Sequence, residues 1–582
     1  MTSDSSARAT TRSERPPSRR RCKSRSAAHK QLQKDIEVVS MLILSDPSVP
    51  PSNQLAREKA AAMYQACMSF ASSKRTETKY LVEWMISLNL DLLKETRLAT
   101  VNPVEMMVRG SLDLGVETVI SIVFSEMDFV GFKRKVQIEY SSEQDIWFAV
   151  NPSIEYYERL LSKYGAEPPL VDRLAVKISG YDMHLEWSTY ISKYTNGTYT
   201  STDIISHLPQ STSILLNLFE SESVGIDGLR YLVAWSIYRQ LVKYTEPHTL
   251  RRFQSPAIAC YDHIKKVMNL AVISSYFTPS VPPRMVYQTK RMASRICSAF
   301  EKALNTSSWI GRRVRDELIY KLIDMTVYVG SQGRRYDPAF VEEVYKPYPD
   351  VPREPLFPTW IKALSLSSHY IWTDQNALLY NEAAPNAFYI NARNDIIVSP
   401  GIMQRPLSYL YGPVALNYAG LGMILAHEIM HAFDVEGMQG NKERRPFVTS
   451  EFIKEYTKRA VCLRRSHKSV LSLSRQQGIL NDTVDSENLA DVVGTMIAYA
   501  AYSSMPAKYK DVKLVSLNIS AERLFFINHC VKWCAERNTL PERYAPFRSR
   551  CIVPLMNMPE FSRAFGCAEG TPMNPRNKCT FW

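Results

Sequence analysis

The stretch His427-Glu428-Ile429-Met430-His431 constrains this 582-residue chain more tightly than any other. It sits in the apolar run Leu425 to Phe433, whose spacing is that of a helix. On a helix, residues four apart lie one above the other on the same face. His427 and His431 therefore offer two imidazole nitrogens to one tetrahedral zinc ion, and Glu428, beside the first, can reach a water on that ion and take its proton.

A catalytic zinc takes three protein ligands and keeps one position open. The H-x-x-G-x-x-H continuation that supplies a third histidine elsewhere fails here, because Asp434 stands at the glycine position and Gly437 at the histidine position. A carboxylate from a second helix is the alternative. Ser486-Glu487-Asn488-Leu489-Ala490-Asp491 meets it, with Glu487 and Asp491 four apart on one face. Glu487 can bind the metal, and Asp491 can accept the second ring N–H of a ligating histidine.

Composition bounds the rest. At 45% hydrophobic and 22% charged the chain is ordinary for a globular protein, and its length favours two domains. The net charge of +13 is uneven: residues 1–30 hold nine Lys or Arg against Asp4 and Glu14. That basic excess lies in a Ser/Thr/Pro-rich tail, expected to be disordered over 1–28, rather than on a folded face, so nucleic acid is excluded as a partner. No run approaches the ~20 apolar residues of a membrane helix, and the basic start is not followed by the apolar segment of a secretory signal. Five of the ten cysteines crowd the last 53 positions, and four sequons (at Asn196, Asn305, Asn481 and Asn518) accompany them. Both point to disulfides, a glycoprotein and an oxidising compartment.

The periodicity predicts helices from Gln31, at Gln54 to Phe70, at Thr78 to Lys94 and after Asn102-Pro103, where Asn102 caps. Strands are predicted around Thr118 to Phe124 and Lys133 to Tyr140, then mainly helices from 153 to 330. The Pro-rich stretch Tyr345 to Pro358 predicts a crossing between a domain at 29–345 and one at 346–582. Asn386 to Asn391 and Asn394 to Pro400 read as two extended segments joined by a polar turn.

Together, His427-Glu-Ile-Met-His431-Ala-Phe-Asp434, Glu487-Asn-Leu-Ala-Asp491, Asn386-Ala-Phe-Tyr389, Met573-Asn-Pro575 and Lys578-Cys579 resemble the neprilysin / endothelin-converting-enzyme family of zinc metallopeptidases. The likeness is strong from about 350 onward and weaker from about 60 to 340; the first 50 residues do not match. It implies a mainly α fold, with two largely helical domains enclosing a cavity and a thermolysin-like catalytic domain carrying a small β-sheet. It implies one Zn2+ per chain bound by His427, His431 and Glu487, with Glu428 as general base and Asp491 behind the ligands. The implied activity is endopeptidase cleavage of small peptides on the amino side of hydrophobic residues, through a zinc-activated water, at the cell surface or outside the cell. Asn386 and Ala387 would hold the peptide backbone; Ile402, Met423, Ile424 and Trp533 would form the pocket after the scissile bond; Arg550 would support the site.

One departure stands out. The family places a histidine, which stabilises the oxyanion, six residues before that arginine; here the position is Tyr544. A phenol donates a hydrogen bond but carries no positive charge at pH 7. A catalytically weakened or inactive peptide-binding homologue is therefore the competing expectation. The resemblance also implies the disulfides Cys67–Cys260 and Cys462–Cys579, and matches Cys534 and Cys567 to positions whose partners lie upstream of the shared region, leaving two thiols unpaired.

Overall fold

The computed structural model describes residues 28–92, 98, 100–130, 133–140, 183–203, 205–207, 225–252, 255–331, 333–373, 381–391, 393–434, 437–438, 448–470, 483–515, 517–534 and 544–582. The expected tail, the sequon at Asn481 and much of the segment expected to be helical between 153 and 224 lie outside them. Helices dominate. In chain order, α1 (Ala28–Leu44) and α2 (Ala56–Ser72) precede a three-stranded sheet of β1 (Ile120–Val130), β2 (Lys133–Tyr140) and β3 (Ile205–His207). There β1 and β2 run antiparallel and β3 joins β2 in parallel. Next come α3 (Pro256–Ser280), α4 (Pro283–Thr306), β4 (Thr326–Val329) and α5 (Phe357–Thr373). The rest is built from β5 (Ala387–Ile390), β6 (Asp395–Val398), α6 (Met423–His431), α7 (Ser450–Val470), α8 (Thr483–Ser503), α9 (Ala521–Val531) and α10 (Phe547–Met556).

Local chemistry sets several boundaries. Asn102 caps the helix Pro103–Arg109, its Oδ1 accepting from the backbone N–H groups of Val104 and Glu105, with Pro103 in the first turn. The helix expected over Thr78 to Lys94 stops at Ser87, where Asn89 turns the chain with φ 60°. A strand also stands in the stretch expected to be mainly helical. Thr326–Val329 pairs in parallel with β6, its four residues too few to show a period.

The second sheet runs β4–β6–β5, with β6 in the middle and β5 antiparallel to it at one edge. Behind β5 a buried ion pair fixes the incoming chain: Arg335 Nε lies 2.8 Å from Glu382 Oε1, and Arg335 also donates to Tyr370. The helix α6 is apolar on nearly every face and lies in the core, between β5 on one side and α4 and α8 on others. Its C-terminal side is backed by aromatic rings. Trp582 stands edge-on to Phe433 at 6.5 Å and stacks on Trp309, whose indole donates to the Phe581 carbonyl. Disulfides join Cys67 of α2 to Cys260 of α3 and Cys462 of α7 to Cys579, as expected. A third, Cys530–Cys551, ties α9 to α10. Cys534 is disulfide-bonded as well, against the expectation of an unpaired thiol, while Cys567 is free. Among the described residues no helix is long and apolar enough to cross a membrane.

Candidate metal centre

Two helices build the centre. The helix α6 carries His427, Glu428 and His431 into a dry interior, where Leu425, Ala426, Ile429 and Met430 are fully buried around them. On α8, Glu487, Asp491 and Gly494 recur at spacings of four and three, so all three face α6. Gly494 sets the separation. A Cβ there would lie 2.8 Å from the His427 backbone nitrogen and 3.0 Å from its Cα, closer than backbone atoms tolerate.

Three donor atoms converge at this contact. His427 Nε2 lies 3.1 Å from His431 Nε2 and 3.1 Å from Glu487 Oε2, and His431 Nε2 lies 3.8 Å from the same carboxylate oxygen. Both Nδ1 edges are held from behind. His427 Nδ1 lies 3.0 Å from Asp491 Oδ1, and His431 Nδ1 lies 2.8 Å from Asp434 Oδ2. Each carboxylate can accept the Nδ1 proton, which leaves the two Nε2 edges facing one another and Glu487, as ligation of one metal ion would require. Asp491 is fixed in turn by Arg550, whose Nε and Nη2 donate to its two oxygens at 2.6 and 2.8 Å.

This donor set fits a zinc ion. Ligands 2.0–2.1 Å from a tetrahedral centre stand roughly 3.4 Å from one another, and the separations of 3.1, 3.1 and 3.8 Å bracket that figure. The charge balance agrees. Burial opposes the imidazolium at His427, but Asp491 and Glu487 outweigh it and push the pKa up to about 10, so the cluster is built to hold positive charge at its middle. The same competition holds Asp491 far below the usual carboxylate range: burial opposes its charge, and Arg550 and His427 overcome it.

Two glutamates flank the imidazoles, and their distances separate them. Glu487 is within 3.1 Å of a ring nitrogen, whereas Glu428 with His427 and His431 forms a looser group spanning up to 4.8 Å. Glu428 stands back and takes a backbone hydrogen bond from Tyr389 of β5. Burial raises its pKa, partly offset by the two histidines.

The remaining expected residues gather unevenly. Asn386 is exposed at the start of the edge strand and Ala387 is buried beside it. The Arg550 guanidinium lies over the rings of Trp533 and Tyr544, 4.0 and 4.6 Å from their centres, which links both to Asp491. Met423 and Ile402 are almost wholly buried in the core, at 1% and 2% exposure, and Ile424 is half-buried. Sequence reasoning missed Asp434 as the orienting partner of His431. Its signal is the spacing of three from that histidine, which lets the turn that ends α6 bring Asp434 back to the ring.

Residues 386–581 match Peptidase family M13. Neprilysin-1 of Trittame loki is 29% identical over 346 residues, covering 56% of this chain and 48% of that protein. Endothelin-converting enzyme 1 of Rattus norvegicus is 28% identical over 313 residues, covering 50% of this chain and 41% of that protein. The chain thus spans about half the length, or less, of the curated relatives it matches. Among solved structures, zinc metalloprotease Zmp1 of Mycobacterium tuberculosis in an open state superposes with a TM-score of 0.67 at 14% identity, covering 95% of each chain. PepO from Lactobacillus rhamnosis follows with a TM-score of 0.63 at 17% identity, covering 95% of this chain and 94% of that one. At these identities the superpositions speak for the fold, which is mostly helical with small sheets.

Proposed function

Since the chain carries a Peptidase family M13 domain and is a homologue of neprilysin and the endothelin-converting enzymes, we propose that it is a zinc-dependent metalloendopeptidase acting on small peptides. The observation that carries this is the meeting of His427 Nε2, His431 Nε2 and Glu487 Oε2 from two separate helices. Bound there, zinc supplies Lewis-acid polarisation of a peptide carbonyl and makes water a competent nucleophile near neutral pH.

The chain's own groups do the rest. Glu428 takes a proton from the attacking water onto its carboxylate, and delivers it to the nitrogen of the departing amine as the C–N bond breaks. Its raised proton affinity, from burial, suits a group that must both accept and release within one turnover. Asp434 and Asp491 hold the two imidazoles in register.

Peptide backbone is positioned by β5. Ser399 donates its N–H to the Asn386 carbonyl at 3.2 Å, so Asn386, Phe388 and Ile390 pair inward with β6. Ala387 and Tyr389 then turn their backbone groups outward, and the Tyr389 N–H already reaches Glu428. A substrate added as a strand along this edge would run past the general base. Ile402, Met423, Ile424 and Trp533 supply the apolar pocket for the residue after the cut. Two domains, 29–345 and 346–582, enclosing the site would restrict entry to short peptides. Disulfides, and exposed sequons at Asn196, Asn305 and Asn518, support an oxidising, extracellular setting.

Purified protein is expected to contain one zinc per chain and to cleave a quenched peptide with a hydrophobic residue after the scissile bond. E428Q is expected to keep the metal and lose on the order of 10²–10⁴ in turnover. Full activity in E428Q, or wild-type protein that binds no zinc, rejects the assignment. A second reading, a peptide-binding homologue with weakened catalysis, is favoured by one observation: Tyr544, at the position the family gives to a histidine, is stacked on Arg550.

A further inference from the structure

The segment Ala507 to Ile519 anchors itself through Leu514 and Ile519, which pack against the core, and Lys510, whose Nζ donates to the Ser503 carbonyl at 3.3 Å, yet it leaves most of its other apolar and basic side chains in solvent. Tyr509 is 49% exposed, Val512 46%, Val515 92% and Leu517 50%. On α9, which the segment leads into, Ile527 and Val531 add a second exposed pair one turn apart. Six of the eighteen large apolar side chains exposed among the described residues thus fall between 509 and 531. Scattered exposed leucines and valines need no explanation; this concentration does.

Charge narrows the partner. Lys508, Lys510 and Lys513 interleave with the apolar residues and only Asp511 opposes them, a local balance of 3 − 1 = +2. Lys508 lies 5.0 Å over the Tyr509 ring, an aromatic-cation pair suited to a wet, anionic boundary. Shape narrows it further. Val515 at 92% exposure is a projecting tip. A peptide or helical partner is received by a concave groove, whereas a projecting apolar tip preceded by lysines is accommodated by a deformable surface.

We propose that the segment 507–519, with the outer face of α9, docks the protein on a bilayer containing anionic phospholipid. Val515 and Leu517 enter the headgroup boundary and Lys508 and Lys513 meet lipid phosphates and carboxylates. No membrane-crossing helix is required for such contact.

The test is sedimentation of the full chain with phosphatidylcholine vesicles, with and without phosphatidylserine. Because Asn518-Ile519-Ser520 is a sequon in the same segment, the unaltered chain and N518Q are measured side by side. Binding is expected on phosphatidylserine vesicles and is expected to fall with added salt. V515D/L517D should lower it at least tenfold. Replacing Lys508 and Lys513 by Ala should lower it about fivefold per lysine, converting ~1 kcal/mol per charge near an anionic surface. Far-UV circular dichroism and peptide cleavage, unchanged in V515D/L517D, show that the variant is folded. The proposal is overturned if neither protein sediments with phosphatidylserine vesicles, or if V515D/L517D binds as well as the parent. It is equally overturned if the parent dimerises without lipid and V515D/L517D abolishes that instead.

Discussion

Asp434 holds the back of His431 as Asp491 holds the back of His427, but the two carboxylates are supported differently. Asp491 is clasped by a buried guanidinium; Asp434 relies on the Gly437 N–H at 2.8 Å and on the Ser486 hydroxyl. D434A frees the His431 ring to rotate and to change tautomer. Zinc affinity is expected to fall 10–100-fold, read by chelator competition; an unchanged dissociation constant would mean that packing alone orients the ring. Tyr544 makes the second prediction at this scale. Y544H restores a group that can carry positive charge and is expected to raise turnover, with an upper bound of order 10²–10³. No change in zinc-loaded protein defeats the idea that Tyr544 weakens catalysis. The ligands were readable from sequence because a helix converts spacing of four into adjacency. Asp434 is harder to read as a partner, because it lies past the end of α6, where helical spacing no longer dictates adjacency. The contact of Arg550 with the rings of Trp533 and Tyr544 is equally hidden, since nothing local announces that three residues from different segments will meet.

Between elements, the decisive contact is α6 against α8. The neighbours of a Gly494 Cβ are backbone atoms of His427 and Ala426, which cannot rotate aside. G494A must therefore push the helices apart, and with them Glu487 from the imidazoles. Weaker zinc retention on gel filtration and a lower melting temperature are both expected, the destabilisation being about 1–3 kcal/mol; a variant that keeps its zinc and its melting temperature contradicts this. The spacing Glu487, Asp491, Gly494 was visible as a helical face, but only the partner helix explains the glycine. The strands β5 and β6 were legible because a polar turn separates two extended runs, and Asn394 takes φ 55° in that turn. The short strand β4 was not, because its identity comes from the neighbour it pairs with.

For the molecule as a whole, buried histidines set how stability responds to acid. His263 stacks on Trp360 at 4.3 Å and lies tilted against Tyr244 at 4.6 Å, and neither ring nitrogen has a hydrogen-bond partner. Burial, aided by Lys266 and Lys243, pulls its pKa down to about 3, and burial pulls His467 down to about 4. His529 is driven lower by burial and Lys532. The unfolded chain takes up protons on all three near pH 6.5 and the folded chain does not. Their contribution to stability is therefore intact above pH 6.5 and is lost progressively as the pH falls toward 4. H263F keeps the stacking and removes one proton from that balance. Between pH 7 and pH 5 it is expected to lose about 2 kcal/mol less than the parent in urea unfolding; parallel pH profiles would refute this.

The aromatic backing of α6 has a consequence for biosynthesis. His431 and Phe433 leave the ribosome well before Cys579, Phe581 and Trp582, the residues that close the wall behind them. A nascent chain halted between these points holds its two imidazoles on a helix with one side still wet. Metal capture would then come late in maturation, after the segment carrying Cys579, Phe581 and Trp582 has closed behind α6.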